Sequence, residues 1–513
     1  MPAPPRIALV TFYDSVSLGV RSLHAVLTQA GFPTDLIFFR EQLNPARPHP
    51  SDREYQLLLD LILERKPALL GLSFRSFGFK IASRITRAVK ERLDTMVVWG
   101  GVHPTLAPED CVAVADAVCV GEGEDAIIEL AEALREGREI SGIRNLWVRQ
   151  DGRVIRNPVR PLQQDLDSLP FPLLGDEGKF VIERDQLRPY DPYLGPRSDG
   201  HYYLAASRGC PFVCDYCWNS AFRRIYQGAG PYVRQRSPEH VLAELERAQR
   251  VLKLRSVNFW DEIFSLDKTW TLSICRGYQE RVGLPFKCEA HPQTVDEELV
   301  AGMKAANLTW IMMGVQSGSE RVRRELYHRQ MSNAEILRAA DLLHRYQVIP
   351  YYDIILDNPY ETEDDLAQTL DLICRLPRPY ILEIFSLQFF PGTEITKRAL
   401  QDGVITPDQV EGPAQKTLNN FVYDVSRTLN PLNASYAVLL ALSEVQLDRQ
   451  GLILSYACHR SLNSRHLVPP SALRWLSRRP LFHRHARWLY TLLKFCLRAG
   501  NRLLAPLRWL RPS

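Results

Sequence analysis

Short apolar segments alternate with amphipathic stretches along the first 145 residues, and this alternation restricts the possible folds more than any other feature. The apolar segments are Ile7–Phe12, Thr34–Phe39, Leu69–Ser73, Met96–Trp99 and Ala117–Val120. Runs of this length, separated by helical patterns, predict buried strands joined by helices. We therefore expect an α/β domain over residues 1–145, built on a doubly wound parallel sheet whose ligands bind beyond the carboxyl ends of its strands.

A second alternation begins near residue 201 and continues to about residue 395. Its apolar segments are Tyr203–Ser207, Ser256–Trp260, Phe286–His291, Trp310–Gly314, Tyr351–Leu356 and Ile381–Gln388. Six strand–helix units suit a partial (β/α)6 or full parallel barrel over residues 201–395, with its chemistry at the carboxyl ends of the strands. Residues 146–200 are rich in Pro, Asp, Gly and Arg, which indicates an irregular linker between the two domains.

The ten cysteines divide into seven scattered residues and one cluster. Cys210, Cys214 and Cys217 follow a predicted strand with the spacing C-x3-C-x2-C. Three thiolates on one loop suit an iron–sulfur cluster and would leave one iron open for another ligand. A structural zinc site normally takes a fourth Cys or His at matched spacing, and no nearby pair supplies one. The spacing therefore favours a cluster over zinc.

The cysteine segment, with Tyr216 directly before the last cysteine, resembles the signature of the radical S-adenosylmethionine (SAM) superfamily. The resemblance implies a [4Fe–4S] cluster on Cys210, Cys214 and Cys217, whose open iron chelates SAM. It also implies reductive cleavage of SAM to a 5′-deoxyadenosyl radical, with an electron donor such as flavodoxin or ferredoxin. In this superfamily the protein binds and orients the cofactors, which supply the difficult chemistry.

Two further strand ends resemble the SAM-binding segments of that superfamily. Asp261 and Glu262 lie where the second barrel strand ends, in the segment that meets the SAM amino group. Gln316 and Ser317 lie where the fourth strand ends, in the ribose-binding segment. The strand-five segment containing Asn358 also resembles the subgroup that carries an N-terminal cobalamin domain, although a Gly is commoner at that position.

The glycine-rich turns of the first domain resemble the Rossmann-like cobalamin domain of this subgroup. The residues that carry this resemblance are Gly100, Gly101, His103, Thr105, Gly121 and Glu122. Glycines allow the backbone to approach a flat corrin closely. The Asp-x-His-x-x-Gly string of cobalamin-dependent mutases, which ligates cobalt, is absent. We therefore expect His103 to orient the loop or the corrin amides instead of binding cobalt.

The last part of the chain differs in charge from the rest. Residues 449–513 contain 13 Lys or Arg and no Asp or Glu, although the whole chain carries only +4. We expect a helical extension over residues 396–450, followed by a basic amphipathic tail over residues 451–513. Such a tail suits peripheral contact with an anionic membrane face or docking on the protein itself, and nucleic acid is not expected.

The resemblance predicts an enzyme that methylates an unactivated carbon through a 5′-deoxyadenosyl radical and methylcobalamin. Two alternatives stay open: a cobalamin-using radical cyclase or rearrangement enzyme, and a non-catalytic cobalamin or redox sensor. The substrate class is open among small molecules, lipids and peptides. The N-terminus has neither the basic segment nor the apolar segment of a signal peptide, so we expect a cytoplasmic protein, with peripheral contact at the inner membrane face through the tail.

Overall fold

The computed structural model describes residues 3–41, 47, 49–191, 200–411, 431–444, 446–447, 453–454, 465–466 and 470–479. It divides into two compact units. The first comprises Met1–Glu262, Glu280–Pro285 and Phe389–Leu418, and the second comprises Ile263–Gln279, Phe286–Gln388 and Asn419–Ser513. The predicted tail lies outside the described residues, apart from short pieces at 453–454, 465–466 and 470–479.

The first unit contains a nine-stranded sheet. Its strands are β1 (Ile7–Phe12), β2 (Thr34–Phe39), β3 (Leu69–Ser73), β4 (Met96–Gly100), β5 (Ala117–Cys119), β6 (Leu146–Gln150), β7 (Arg153–Arg156), β8 (Lys179–Glu183) and β9 (Gln186–Pro189). Their order in the sheet is β7-β6-β5-β4-β3-β1-β2-β8-β9. Strands β1 to β5 are parallel. The central strand β1 is buried along its whole length, as expected for a parallel sheet covered on both faces. The predicted doubly wound domain is confirmed.

Helices cover both faces of this sheet. They are α1 (Leu18–Gln29), α2 (Asp52–Arg65), α3 (Phe79–Lys90), α4 (Val102–Leu106), α5 (Pro108–Val112) and α6 (Glu124–Glu136). One core includes Leu58 of α2 and Ile85 of α3, and the other includes Val26 of α1 and Leu130 of α6. Trp99 is fully buried on the first face, and its indole N–H donates to Thr86 Oγ1 at 3.0 Å.

The prediction of an irregular linker over residues 146–200 is wrong for two segments. β6 and β7 form an antiparallel hairpin beside β5, and β8 and β9 form another beside β2. Each hairpin has a two-residue turn in which both residues have positive φ: Asp151 and Gly152 in the first, Arg184 and Asp185 in the second. Such turns match the twist of the flanking strands. The Asp-Gly pair was a readable hairpin signal, whereas Arg-Asp was not.

The rest of the first unit begins the second strand–helix alternation. β10 (His201–Leu204) pairs in parallel with β13 (Ser256–Phe259), and β11 (Ser207–Arg208) pairs antiparallel with β12 (Arg234–Gln235). Its helices are α7 (Trp218–Ile225), α8 (Pro238–Val251), α13 (Glu394–Gln401) and α14 (Pro407–Glu411). α7 packs against α4 of the doubly wound part.

The second unit contains four parallel strands in the order β14-β15-β16-β17. They are β14 (Phe286–Ala290), β15 (Leu308–Gln316), β16 (Ile349–Leu356) and β17 (Ile381–Ser386), accompanied by α9 (Lys268–Arg281), α10 (Glu297–Ala305), α11 (Asn333–Arg345) and α12 (Glu363–Arg375). With β10 and β13, all six predicted strands of the (β/α)6 partial barrel are formed. The predicted fold class is confirmed.

The C-terminal extension is helical where it is described. α15 (Pro431–Glu444) and α16 (Pro470–Ser477) pack against each other and against α12. Arg474 of α16 pairs with Asp371 of α12 at 2.6 Å. This described piece of the basic tail is therefore docked on its own unit. Two-residue strands β18 (Gln446–Leu447), β19 (Ile453–Leu454) and β20 (Arg465–His466) form a small sheet. In the described part of the chain, no helix has the length and apolarity needed to cross a membrane.

We predict that Gly101→Ala destabilises the first unit by about 1–3 kcal/mol. Gly101 has φ +94°, and an added Cβ would lie 2.9 Å from the backbone nitrogen of Phe74 and 2.9 Å from Ser73 Oγ. The matched control is Gly142→Ala, because nothing lies within 4 Å of a Cβ there. Thermal unfolding measures both variants. Equal melting temperatures for the two would contradict the strain assigned to Gly101.

Candidate functional site

The three clustered cysteines lie on the loop that follows strand β11, which pairs antiparallel with β12. Gly209, directly before Cys210, has φ +90°, and an added Cβ would lie 2.3 Å from the Tyr232 carbonyl oxygen. Only glycine fits this turn. The other end of the loop is held by Ser220, whose Oγ lies 2.9 Å from the Cys214 carbonyl oxygen and 2.8 Å from that of Cys217. The backbone around all three thiols is therefore well defined by local contacts.

The thiols themselves form a suitable donor set for iron. None of the three cysteines is in a disulfide. Burial raises the pKa of Cys217, and the charges of Glu262, Cys214 and Cys210 raise it further, so a bound cation is needed to stabilise the thiolates. Among the described residues, no group of three His, Cys, Asp or Glu has the geometry to hold one metal ion. A cubane does not require that geometry, because each cysteine binds a different iron.

The two acids predicted to contact SAM occupy different environments. Asp261 is 1% exposed and accepts hydrogen bonds from the Ala206 N–H at 3.2 Å and from the Ser207 hydroxyl. Burial raises the pKa of Asp261 to about 6. Its carboxylate therefore holds the chain just before the cysteine loop, and both of its oxygens are engaged there.

Glu262, by contrast, is exposed. Although its side chain has an exposed part, desolvation of its carboxylate by the surrounding protein raises its pKa, and a hydrogen bond with the Asn219 side chain lowers it. Among the neighbouring charges, that of Glu262 makes the largest contribution to raising the pKa of Cys217. Of the two neighbouring acids, Glu262 is thus the one that is accessible beside the cysteine loop.

Gln316 and Ser317 lie at the carboxyl end of β15 in the second unit. Gln316 has φ +69°, and its Nε2 lies 2.3 Å from where a Cβ on Gly314 would be. The Ser317 hydroxyl donates to Glu361 at 3.2 Å and lies 3.1 Å from Thr369 Oγ1. Ser317 is fully buried, so its side chain fixes the turn from within.

Two acids in the second unit, each with a buried carboxylate oxygen, were not among the predicted site residues. Burial raises the pKa of Glu361 to about 8, and Glu361 Oε2 has no hydrogen-bond partner among the described residues. Burial and the charge of Glu383 raise the pKa of Asp353 to about 7, and Asp353 Oδ1 also lacks a partner among those residues. Asp353 lies in register with Glu383 on the neighbouring strand. An acid inside an apolar strand was the signal that could have identified Asp353.

The first unit contains a cavity of about 360 Å³ beyond the carboxyl ends of its parallel strands. Its lining is mostly apolar and rich in glycine: Leu18, Gly19, Leu23, Gly71, Gly100, Gly101, Gly121, Gly123, Ile127, Pro170, Phe171 and Pro172. Glu122, Glu124 and Arg208 contribute a polar end. This volume and lining are typical of a cofactor pocket.

His103 and Thr105 support the cavity without lining it. His103 is 1% exposed, its Nδ1 lies 3.0 Å from Ser76 Oγ, and burial lowers its pKa to about 4. Thr105 Oγ1 donates to the Gly101 carbonyl at 2.8 Å and accepts from the Gly121 N–H at 3.1 Å. Thr105 therefore ties together the two glycine turns that do line the cavity.

Comparison with known families agrees with both parts of this arrangement. Residues 204–373 match the Radical SAM superfamily, and residues 6–131 match the B12 binding domain. The chain therefore combines a B12 binding domain with a radical SAM domain. Its cofactors are accordingly a [4Fe–4S] cluster, SAM and cobalamin.

Curated relatives of this radical SAM protein include methyltransferases and cyclases. An uncharacterised methyltransferase of Pyrococcus horikoshii is 26% identical over 363 residues, covering 69% of this chain and 74% of the relative. The anaerobic magnesium-protoporphyrin IX monomethyl ester cyclase of Rubrivivax gelatinosus is 24% identical over 357 residues, covering 66% of this chain and 59% of the relative.

Solved structures share the fold of this radical SAM protein. The methyltransferase TsrM from Kitasatospora setae, with cobalamin and a [4Fe–4S] cluster bound, has a TM-score of 0.64 at 16% identity, covering 97% of this chain and all of that one. The cobalamin-dependent enzyme OxsB has a TM-score of 0.58 at 18% identity, covering 79% of this chain and 56% of that one.

We predict that Asp261→Ala and Glu262→Gln fail in different ways. Asp261→Ala leaves the buried Ala206 N–H without its acceptor, at a cost of about 1–3 kcal/mol, and should lower the iron and sulfide content of the reconstituted protein. Glu262→Gln should keep a full cluster but weaken SAM binding by roughly 10- to 100-fold through loss of a charge-assisted hydrogen bond. Iron analysis and SAM titration separate the two. Full cluster content in Asp261→Ala would contradict its positioning role.

We predict that Glu361 makes the second unit less stable as pH rises. The folded-state pKa is raised from the ordinary 4.5 to about 8, so between these values the folded chain binds more protons than the unfolded chain. The stability difference between wild type and Glu361→Gln should therefore fall across that pH range. Denaturant unfolding at several pH values measures this difference. Glu363→Gln, at an exposed neighbouring position, is the control and should not show the same slope.

Proposed function

We propose that this protein is a cobalamin-dependent radical SAM methyltransferase that methylates an unactivated carbon of a small molecule. One observation carries the proposal: in the first unit, a glycine-lined cavity of about 360 Å³ and a loop with three cysteine thiols occur in one compact body. A methyl carrier and a radical generator are the two parts that such a reaction requires. The domain division is proposed as 1–145, 201–395 and a C-terminal region beyond.

The residue roles are part of this proposal, and the resemblance to radical SAM enzymes and the local geometry support them. Cys210, Cys214 and Cys217 hold the cluster, and Glu262 accepts a hydrogen bond from the SAM ammonium. Gln316 and Ser317 shape the turn proposed to meet the ribose. Gly100, Gly101, Gly121 and Glu122 form the wall proposed to bind cobalamin, while His103 and Thr105 hold that wall in place.

When bound, the cluster and SAM supply a 5′-deoxyadenosyl radical, and cobalamin supplies a transferable methyl group. The protein's contribution is to bind, orient and exclude water. Pro170, Phe171 and Pro172 give the cavity an apolar wall, which keeps solvent away from a bound cofactor. His103 stays neutral at physiological pH because burial lowers its pKa to about 4, and its ring is engaged inside the protein.

A radical cyclase is the second candidate, because two of the curated cyclases match 66% and 72% of this chain. We also propose two partners. One is an electron donor such as flavodoxin or ferredoxin, and the other is an anionic membrane face that the basic tail contacts. A lipid or peptide substrate is compatible with the same cofactors.

The test is anaerobic reconstitution with iron, sulfide and cobalamin, followed by reduction and addition of SAM. We expect both 5′-deoxyadenosine and S-adenosylhomocysteine, and we expect Cys214→Ala to reduce deoxyadenosine to the level of a protein-free control. Cys275→Ala, at a buried helical cysteine outside the loop, should retain both products. Deoxyadenosine alone, with cobalamin bound, would favour the cyclase. Formation of neither product would leave two interpretations: a sensor, or an enzyme that is silent without its substrate.

A further inference from the structure

Two loops of the first unit contact each other directly, although their sequence motifs indicate different cofactors. Arg208 lies two residues before Cys210, on strand β11. Its Nη2 lies 2.7 Å from Glu124 Oε1, and its Nη1 lies 3.5 Å from Glu122 Oε1. Both acids belong to the Gly121–Glu124 turn, which lines the glycine-rich cavity. One arginine thus connects the cysteine loop to the cavity wall.

Other contacts join the same two loops. Arg234, on the strand paired with β11, binds both carboxylate oxygens of Glu122 at 2.7 and 2.9 Å. The Glu122 N–H donates to the Tyr226 hydroxyl at 2.6 Å, and a Cβ on Gly121 would lie 1.9 Å from that hydroxyl. The turn therefore has little room to move independently of the cysteine loop and of helix α7.

The charge of Arg208 makes this residue the most costly one to remove from the contact between the two loops. The Glu124 side chain is only 11% exposed. Burial alone would raise the pKa of Glu124, but the charge of Arg208 and its hydrogen bond lower it. Ser22 donates a further hydrogen bond to Glu124 at 2.9 Å. Removal of Arg208 leaves a carboxylate at the cavity wall without its cation, which forces the turn either to move or to take up a proton.

We propose that Arg208 is a positioning residue that couples the cobalamin cavity to the cluster loop, so that occupancy of one site strengthens binding at the other. A cluster fixes Cys210 and, through the single intervening residue Gly209, the position of Arg208. Arg208 in turn fixes Glu122 and Glu124 in the cavity wall. Coupling of this kind is reciprocal by thermodynamic linkage. The inference rests on the proposed cobalamin and cluster sites and adds their energetic coupling.

A purely structural role for Arg208 predicts a different result. If Arg208 only stabilised the fold, its removal would lower the melting temperature, yet the affinity for cobalamin would not depend on whether the cluster is present. The coupling should also depend on how many carboxylates the side chain at position 208 can reach. Lysine keeps the charge but lacks the planar fork that reaches two carboxylates, so Arg208→Lys should retain part of the coupling.

The experiment titrates hydroxocobalamin into the full-length protein with and without the reconstituted cluster. We expect wild type to bind cobalamin about tenfold more tightly when the cluster is present, within the range usual for coupled sites. In Arg208→Met this ratio should fall to about one, and in Arg208→Lys it should be intermediate. Glu124→Gln should also lower the ratio, and the double variant should add little, because both changes break the same contact.

Arg281→Met is the matched control. Arg281 also belongs to the first unit and also binds two carboxylates, Glu239 and Glu246, but it contacts neither loop. It should keep the wild-type ratio. The reduced cluster gives a second readout: cobalamin should change its electron paramagnetic resonance spectrum in wild type and not in Arg208→Met.

Two results would overturn the coupling. One is a wild-type ratio of one, and the other is an unchanged ratio in folded Arg208→Met. Absence of any cobalamin binding would overturn the cofactor proposal and the coupling with it. Normal coupling with no S-adenosylhomocysteine would instead count against methyl transfer alone, so the two proposals fail in distinguishable ways.

Discussion

Parallel strands end together at one edge of a sheet. Within each unit, this constraint determines where nearly every polar group of the candidate site lies. A parallel sheet is buried on both faces, so its strands carry apolar side chains and leave chemistry to the turns that follow them. In the first unit these turns contain Gly101 after β4, Glu122 after β5 and Asp261 after β13. In the second unit Ser317 follows β15 in the same way. Local sequence could therefore indicate the site without any tertiary information.

The same geometry explains why two adjacent acids have different roles. Successive side chains near a strand end point to opposite sides, so Asp261 is buried while Glu262 is exposed. A buried carboxylate is stable only when donors satisfy it, and the Ala206 N–H and the Ser207 hydroxyl do so. The chain thus uses one acid to fix the cysteine loop and leaves its neighbour accessible to a ligand. Composition and motif identity alone do not separate these roles.

Prediction from sequence succeeded where a local pattern determines the structure. All eleven strands of the two alternations were predicted close to their observed positions, because short apolar runs between helical patterns have few other interpretations. The hairpin around Arg184 and Asp185 was missed because both residues adopt positive φ, and Arg, at the first turn position, has no preference for that conformation. Glu361 was missed because its raised pKa depends on burial produced by residues distant in sequence, which no local pattern reports.

The glycine turn at Gly121 shows why a motif can be correctly recognised and still incompletely understood. A glycine-rich strand end is usually explained by close approach of a ligand to the backbone. Here Gly121 does line the cavity, but its φ of +89° and the proximity of the Tyr226 hydroxyl require glycine even without a ligand. The side of the turn facing Tyr226 is fixed by contact with helix α7, which follows the cysteine loop. A substitution at Gly121 would therefore disturb both loops at once, and its effect on cobalamin binding alone could not be interpreted as loss of a ligand contact.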